Sequence, residues 1–167
     1  MYYQKKEPGG SVYTAIYDST NATTGLQSIF RLQPGVTTRV IIEQVRGSRT
    51  TSTNLSEYGL YYYRGSTTPL STAYSATPTP ISGVTGYPAS VSSLNVGSTI
   101  LPSTTSVVTI LHDGSAASGY VFDGYGDMEI APGQIFDLVG VNLGSSTVTE
   151  DVHITLRWRE TGKNPIS

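Results

Sequence analysis

The chain has 167 residues, enough for one domain that buries its own core. Only 13% of them are charged and the formal net charge is −2, which excludes a broad electrostatic attraction to nucleic acid. Cysteine is absent, so a disulfide framework is excluded and stability must come from packing. Twelve Tyr stand against three Phe, Val, Ile, Thr and Ser are abundant, and helix formers are sparse, which is an all-β composition.

The first residues, MYYQKKEPGGS, contain no apolar run, so a secretory signal is not expected. No stretch approaches the roughly eighteen apolar residues of a membrane span, and the chain is expected to be soluble. Asn21-Ala22-Thr23 and Asn54-Leu55-Ser56 match the glycosylation acceptor pattern and, without a signal, read as chance matches. Residues 1–11 read as a polar arm, broken by Pro8-Gly9-Gly10, that orders against a partner.

SVYTAIY, from Ser11 to Tyr17, sets Val12, Thr14 and Ile16 against Tyr13, Ala15 and Tyr17 and predicts a first strand. After a turn at 18–25, Gln27 to Leu32 predicts a short strand ending at Pro34-Gly35. In TTRVIIEQVRG, Val40, Ile42 and Gln44 oppose Ile41, Glu43 and Val45, and these mixed faces suggest a strand partly covered on both sides. Glu57 to Gly65 predicts a strand with aromatics on both faces. From 66 to 103 Ser, Thr, Pro and Gly dominate, and the stretch reads as one long loop passing over a neighbouring surface, with room for an edge strand at 90–96.

Strands return at Thr105 to Asp113 and in YVFDG. Gln134 to Asn142 is almost continuously apolar and should be central. DVHITLRWRE, Asp151 to Glu160, alternates strictly, with Val152, Ile154, Leu156 and Trp158 facing one way and His153, Thr155, Arg157 and Arg159 the other. So late a strand must close a sheet begun much earlier. Leu32-Gln33-Pro34-Gly35 and Ile130-Ala131-Pro132-Gly133 share one form, and both predict type II corners with Gly at positive φ. The fold expected is a two-sheet antiparallel β-sandwich over 12–160, with 66–103 as its long loop and 161–167 as a polar tail.

Catalytic chemistry finds little support. His112-Asp113, with Asp123, Asp127 and Glu129 nearby, could form a metal or acid–base cluster, but Asp before Gly is ordinary turn chemistry. No nucleophile elbow, P-loop or dinucleotide fingerprint is present, so no catalytic, metal or cofactor site is assigned and no enzyme is expected. Tyrosines are the better candidates, either stacking on sugars or supplying rigid contact area to a protein partner. The partner-binding residues chosen are Tyr2 and Tyr3 in the arm, Tyr61 and Tyr63, Tyr74 and Tyr87 in the long loop, and Arg157 and Arg159 on the closing strand. The two arginines could pair with Glu43 or with a partner's carboxylate. Trp158, on the apolar face, reads as a core anchor.

The series ILHDG, DMEIAPGQIFDLVGVN and DVHITLRWRE, over Thr105 to Glu160, resembles the C-terminal half of the jelly-roll proteins of tailed-phage virions, head decoration (cement) proteins among them. The Leu32 to Gly35 corner is a weaker match. The resemblance implies a jelly-roll decoration protein, a dimer or trimer on the capsid surface, made in the host cytoplasm. Its partner would be the major capsid protein, with no nucleic acid, membrane or cofactor involved. The alternative from a different class is a receptor- or glycan-binding module of a tail or fibre.

Overall fold

The computed structural model describes residues 11–19, 25–51, 58–64, 76–81, 90–98, 107–113, 120–122, 128–142 and 150–162. Among these there is no helix. Eleven strands run in order: β1 (Ser11–Ser19), β2 (Gly25–Gln33), β3 (Arg39–Thr51), β4 (Tyr58–Arg64), β5 (Thr79–Pro80), β6 (Ser93–Ser98), β7 (Val107–Asp113), β8 (Tyr120–Phe122), β9 (Met128–Ile130), β10 (Phe136–Asn142) and β11 (Glu150–Thr161).

One sheet has the order β5-β1-β11-β3-β8, with β9 also on β3. The other joins β10-β4-β7 to the pair β2-β6, β2 lying against β10. All pairings are antiparallel. The last strand thus sits between the first and the third, as its late alternation required. Strands β1, β11, β3 and β8/β9 face β2, β10, β4 and β7, and most chain connections cross from one sheet to the other. That interleaving is a jelly-roll sandwich.

Period-2 burial fills the space between the sheets. Tyr13, Ala15 and Tyr17 of β1 point inward with Ile154, Leu156 and Trp158 of β11, and they meet Phe30, Leu32, Phe136 and Leu138 from the other sheet. Tyr17 meets Phe30 edge-on at 6.3 Å across the sandwich, and Tyr13 lies 5.9 Å from Trp158 along the β1–β11 ladder. Trp158 is fully buried, as its place in the alternation required. β10 is buried from Phe136 to Gly140, the central strand its apolar run predicted.

Two expectations are corrected. The mixed faces of β3 do not come from cover on both sides. Arg157 opposes Gln44 and Trp158 opposes Ile42, so Glu43 is the extra residue of a β-bulge. The bulge shifts the phase by one, so that Val40, Ile42 and Val45 all point into the core.

The two Pro-Gly corners also differ. Ala131 to Gln134 is closed by Gln134 N–H donating to Ala131 O at 3.0 Å, with Gly133 at φ +73°, the type II geometry expected. The other turn starts two residues later than the motif suggested: Thr38 N–H donates to Gly35 O at 3.0 Å, and Gly35 is not at positive φ. Both corners nevertheless lie at one end of the sandwich, where Gln33 Nε2 reaches Gly133 O at 3.4 Å.

The described parts of the long 66–103 stretch lie on their own chain. β5 pairs with β1 and β6 with β2, so each of these two sheet edges gains a strand. Unpaired edge N–H and C=O groups invite further strand pairing, and covering them satisfies those groups internally.

Candidate functional site

The outer face of the β5-β1-β11-β3 sheet carries Arg157 and Arg159, two of the partner-binding candidates, and the register maps it row by row. Val12, Arg159 and Ile41 form one row across β1, β11 and β3; Thr14, Arg157 and Gln44 the next; Ile16, Thr155 and Arg46 the third. Asp18 and His153 follow and are paired side chain to side chain in solvent.

At the centre the β3 bulge aims Glu43 between the two arginines. Arg157 Nε donates to Glu43 Oε2 at 2.8 Å, and Arg159 Nη2 contacts Glu43 Oε1. The Glu43 side chain is 17% exposed, while the arginines keep 44% and 43% of theirs. Ion pairs this wet contribute about 0–1 kcal/mol each, so they orient side chains more than they hold the fold. Arg46 is exposed and has no ion pair among the described residues, whereas Arg39 meets Glu129 at 3.2 Å. Ile16, 55% exposed, stands in the open part of this face.

The end of the sandwich carries a second feature, which the sequence reading missed. Glu160 continues the inward set of β11 and is buried. Its carboxylate accepts from Ser90 Oγ at 2.5 Å, Val91 N–H at 3.1 Å and Ser92 N–H at 3.2 Å. The closing strand thereby pins the segment that leads into β6. The signal was present: Val152, Ile154, Leu156 and Trp158 alternate, and the next inward position is an acid.

Arg31 and Asp137 were missed in the same way, as charges inside apolar strands. Arg31 Nε and Nη2 donate to Asp137 Oδ1 and Oδ2 at 2.6 and 2.7 Å, with the side chains 8% and 0% exposed. This two-bond fork ties β2 to β10.

Of the partner-binding candidates, the structure brings together Arg157 and Arg159, and it turns them onto Glu43. Tyr61 and Tyr63 lie in β4, opposite Val139 and Asp137 of β10. Tyr2, Tyr3, Tyr74 and Tyr87 lie outside the described residues. The tyrosines whose side chains are described, Tyr13, Tyr17 and Tyr62, pack in or against the core, Tyr62 stacking on Phe136 at 6.0 Å. In the acidic group, His112 and Asp113 end β7, Glu129 is exposed and pairs with Arg39, and Asp123 and Asp127 lie outside the described residues. Among the described residues no group of three or more His, Cys, Asp or Glu could hold a metal.

No protein-family model matches the chain, and no curated protein matches it. Among solved structures it has a weak neighbour in a viral capsid protein, that of BFDV in its 60-mer form. The TM-score is 0.26 and the identity 12%, over 96% of this chain and 100% of that one. A likeness at that level carries no argument about function.

Proposed function

We propose that this chain is a non-enzymatic structural protein of a virion, a decoration or cement protein on the outside of a phage capsid, bound to the major capsid protein as a homo-oligomer. The observation that carries the reading is the jelly-roll sandwich with a filled interior. Jelly rolls serve as capsid, lectin and cupin domains. A cupin needs an open, ligand-lined interior, whereas Tyr13, Phe30, Phe136, Leu156 and Trp158 occupy this one. A lectin needs exposed aromatic platforms, and the three tyrosines whose side chains are described, Tyr13, Tyr17 and Tyr62, pack in or against the core. What the described residues offer a partner is a solvent-facing sheet of Arg, Thr, Glu and Ile with the Asp18–His153 pair beside them, suited to lie against another protein.

The test is sedimentation of the purified protein with capsids that lack it, followed by imaging of the native particle. Saturable binding, with density at regular positions of the capsid lattice, is expected. A monomer that ignores capsids, or one that binds defined sugars on a glycan array, refutes the reading.

A further inference from the structure

We infer that the outer face of β1, β11 and β3, with Ile16 in the open and Arg46, Arg157 and Arg159 around it, docks onto an acidic protein surface that also supplies an aliphatic contact. The inference deepens the proposed function and takes from it only the partner's identity.

Arg46, Arg157 and Arg159 share this face with two carboxylates, Glu43 between two of the arginines and Asp18 paired with His153. Ile16 and Arg46 flank Thr155 in a single row, and Arg157 is two residues along the same face of β11. Glu43 uses one donor of Arg157 and one of Arg159, and a guanidinium carries five N–H donors in a fixed fork. Glu43 therefore holds Arg157 with four donors unspent; in Arg159 the Nε is buried, and the remaining Nη donors are the ones a partner's carboxylate can reach. Arg46 has no counter-charge among the described residues.

The chain as a whole is at −2, so a locally positive face gives the molecule a polarity that orients its approach to an acidic surface. Held side chains also lower the ordering cost of binding.

Phosphate groups fit this face less well. Glu43 stands between two of the three arginines and repels a nucleic-acid backbone. Ile16 is 55% exposed and has Val12 and Ile41 on the same face, apolar area that a protein contact buries and a phosphate does not. Arg is enriched at protein interfaces, whose buried centre is apolar.

The experiment compares the full-length wild type with Ile16→Asp and Arg46→Glu. Both positions are exposed, and an unchanged melting temperature confirms the fold. Three probes are used across about 0.05–0.5 M salt: capsids lacking the protein, immobilised poly-L-glutamate, and an immobilised DNA duplex.

The wild type should bind capsids with an affinity that falls as salt rises, and each variant should lose about tenfold or more. Poly-L-glutamate should retain the wild type at low salt and release Arg46→Glu. Wild-type binding to capsids with both variants equally tight overturns this inference and leaves the proposed function standing. Failure of the wild type on capsids, with selective retention on poly-L-glutamate, refutes the proposed function and leaves the inference standing. Stronger retention on DNA than on poly-L-glutamate overturns it in favour of a phosphate surface. Variants that dissociate a solution oligomer while still binding capsids overturn it in favour of contact between copies.

Discussion

Asp137 and Glu160 are two carboxylates that the fold has withdrawn from water, and each is matched by donors from a distant part of the chain. Removing one partner of a buried ion pair leaves the other charge uncompensated. Asp137→Ala should therefore lower stability by about 3–5 kcal/mol in denaturant titrations, with Arg31 stranded at the β2–β10 contact. Replacing Arg31 and Asp137 together by Met and Leu should recover most of that loss, because no isolated charge remains. If the double change is as damaging as the single one, the pair holds the strands by more than charge matching. At Glu160, Gln keeps the shape but turns an amide donor toward one of the three groups it must accept from. Glu160→Gln should cost about 1–3 kcal/mol. Hydrogen exchange should speed up at the Val91 and Ser92 amides before it does in the β1–β11 ladder.

The elements show how a single residue changes the reading of a whole strand. In β3 one inserted position, Glu43, flips the alternation and sends a carboxylate to the outer face, where it meets Arg157 and Arg159. The two Pro-Gly corners look alike in sequence but close differently. Gly133 occupies the left-handed region at φ +73°, where a Cβ is strained; Gly35 does not. Gly133→Ala should cost about 1–3 kcal/mol, and Gly35→Ala distinctly less, by thermal denaturation. Equal losses at the two sites would mean that the corners are equivalent after all.

At the scale of the molecule, the closing strand is the member that makes the sandwich one body. β11 pairs with β1 on one side and β3 on the other, and Trp158 lies on its inner face with Tyr13 against it. Trp158→Ala should cost about 3–5 kcal/mol, as for other large-to-small changes in a core. A variant that kept its melting temperature but lost capsid binding would show that Trp158 serves the partner and not the core. The long connection between β4 and β7 has a matching role, since β5 and β6 extend the edges at β1 and β2. An edge strand was expected at 90–96, where β6 overlaps it, whereas Thr79–Pro80 was expected in a loop reaching over a neighbour; the chain uses both to extend its own sheet edges, and the proposed docking surface moves to the outer face.

Local pattern was sufficient for much of this. Strict alternation in DVHITLRWRE and SVYTAIY gave their inward and outward sets, the apolar run at 134–142 marked a central strand, and composition pointed to strands and excluded disulfides. These properties follow from period, size and polarity, which neighbouring residues alone display. The sequence also carried the clues to Glu160, an acid at the inward position after Trp158, and to Asp137, an acid inside an almost continuously apolar strand, but not their partners. Ser90 lies 70 residues from Glu160 and Arg31 lies 106 from Asp137, and only the sheet order brings them together. The bulge at Glu43 was invisible for the same reason: an extra residue exists only relative to the strand it faces. Alternation told which side chains leave the core, and tertiary pairing alone decided which of them meet.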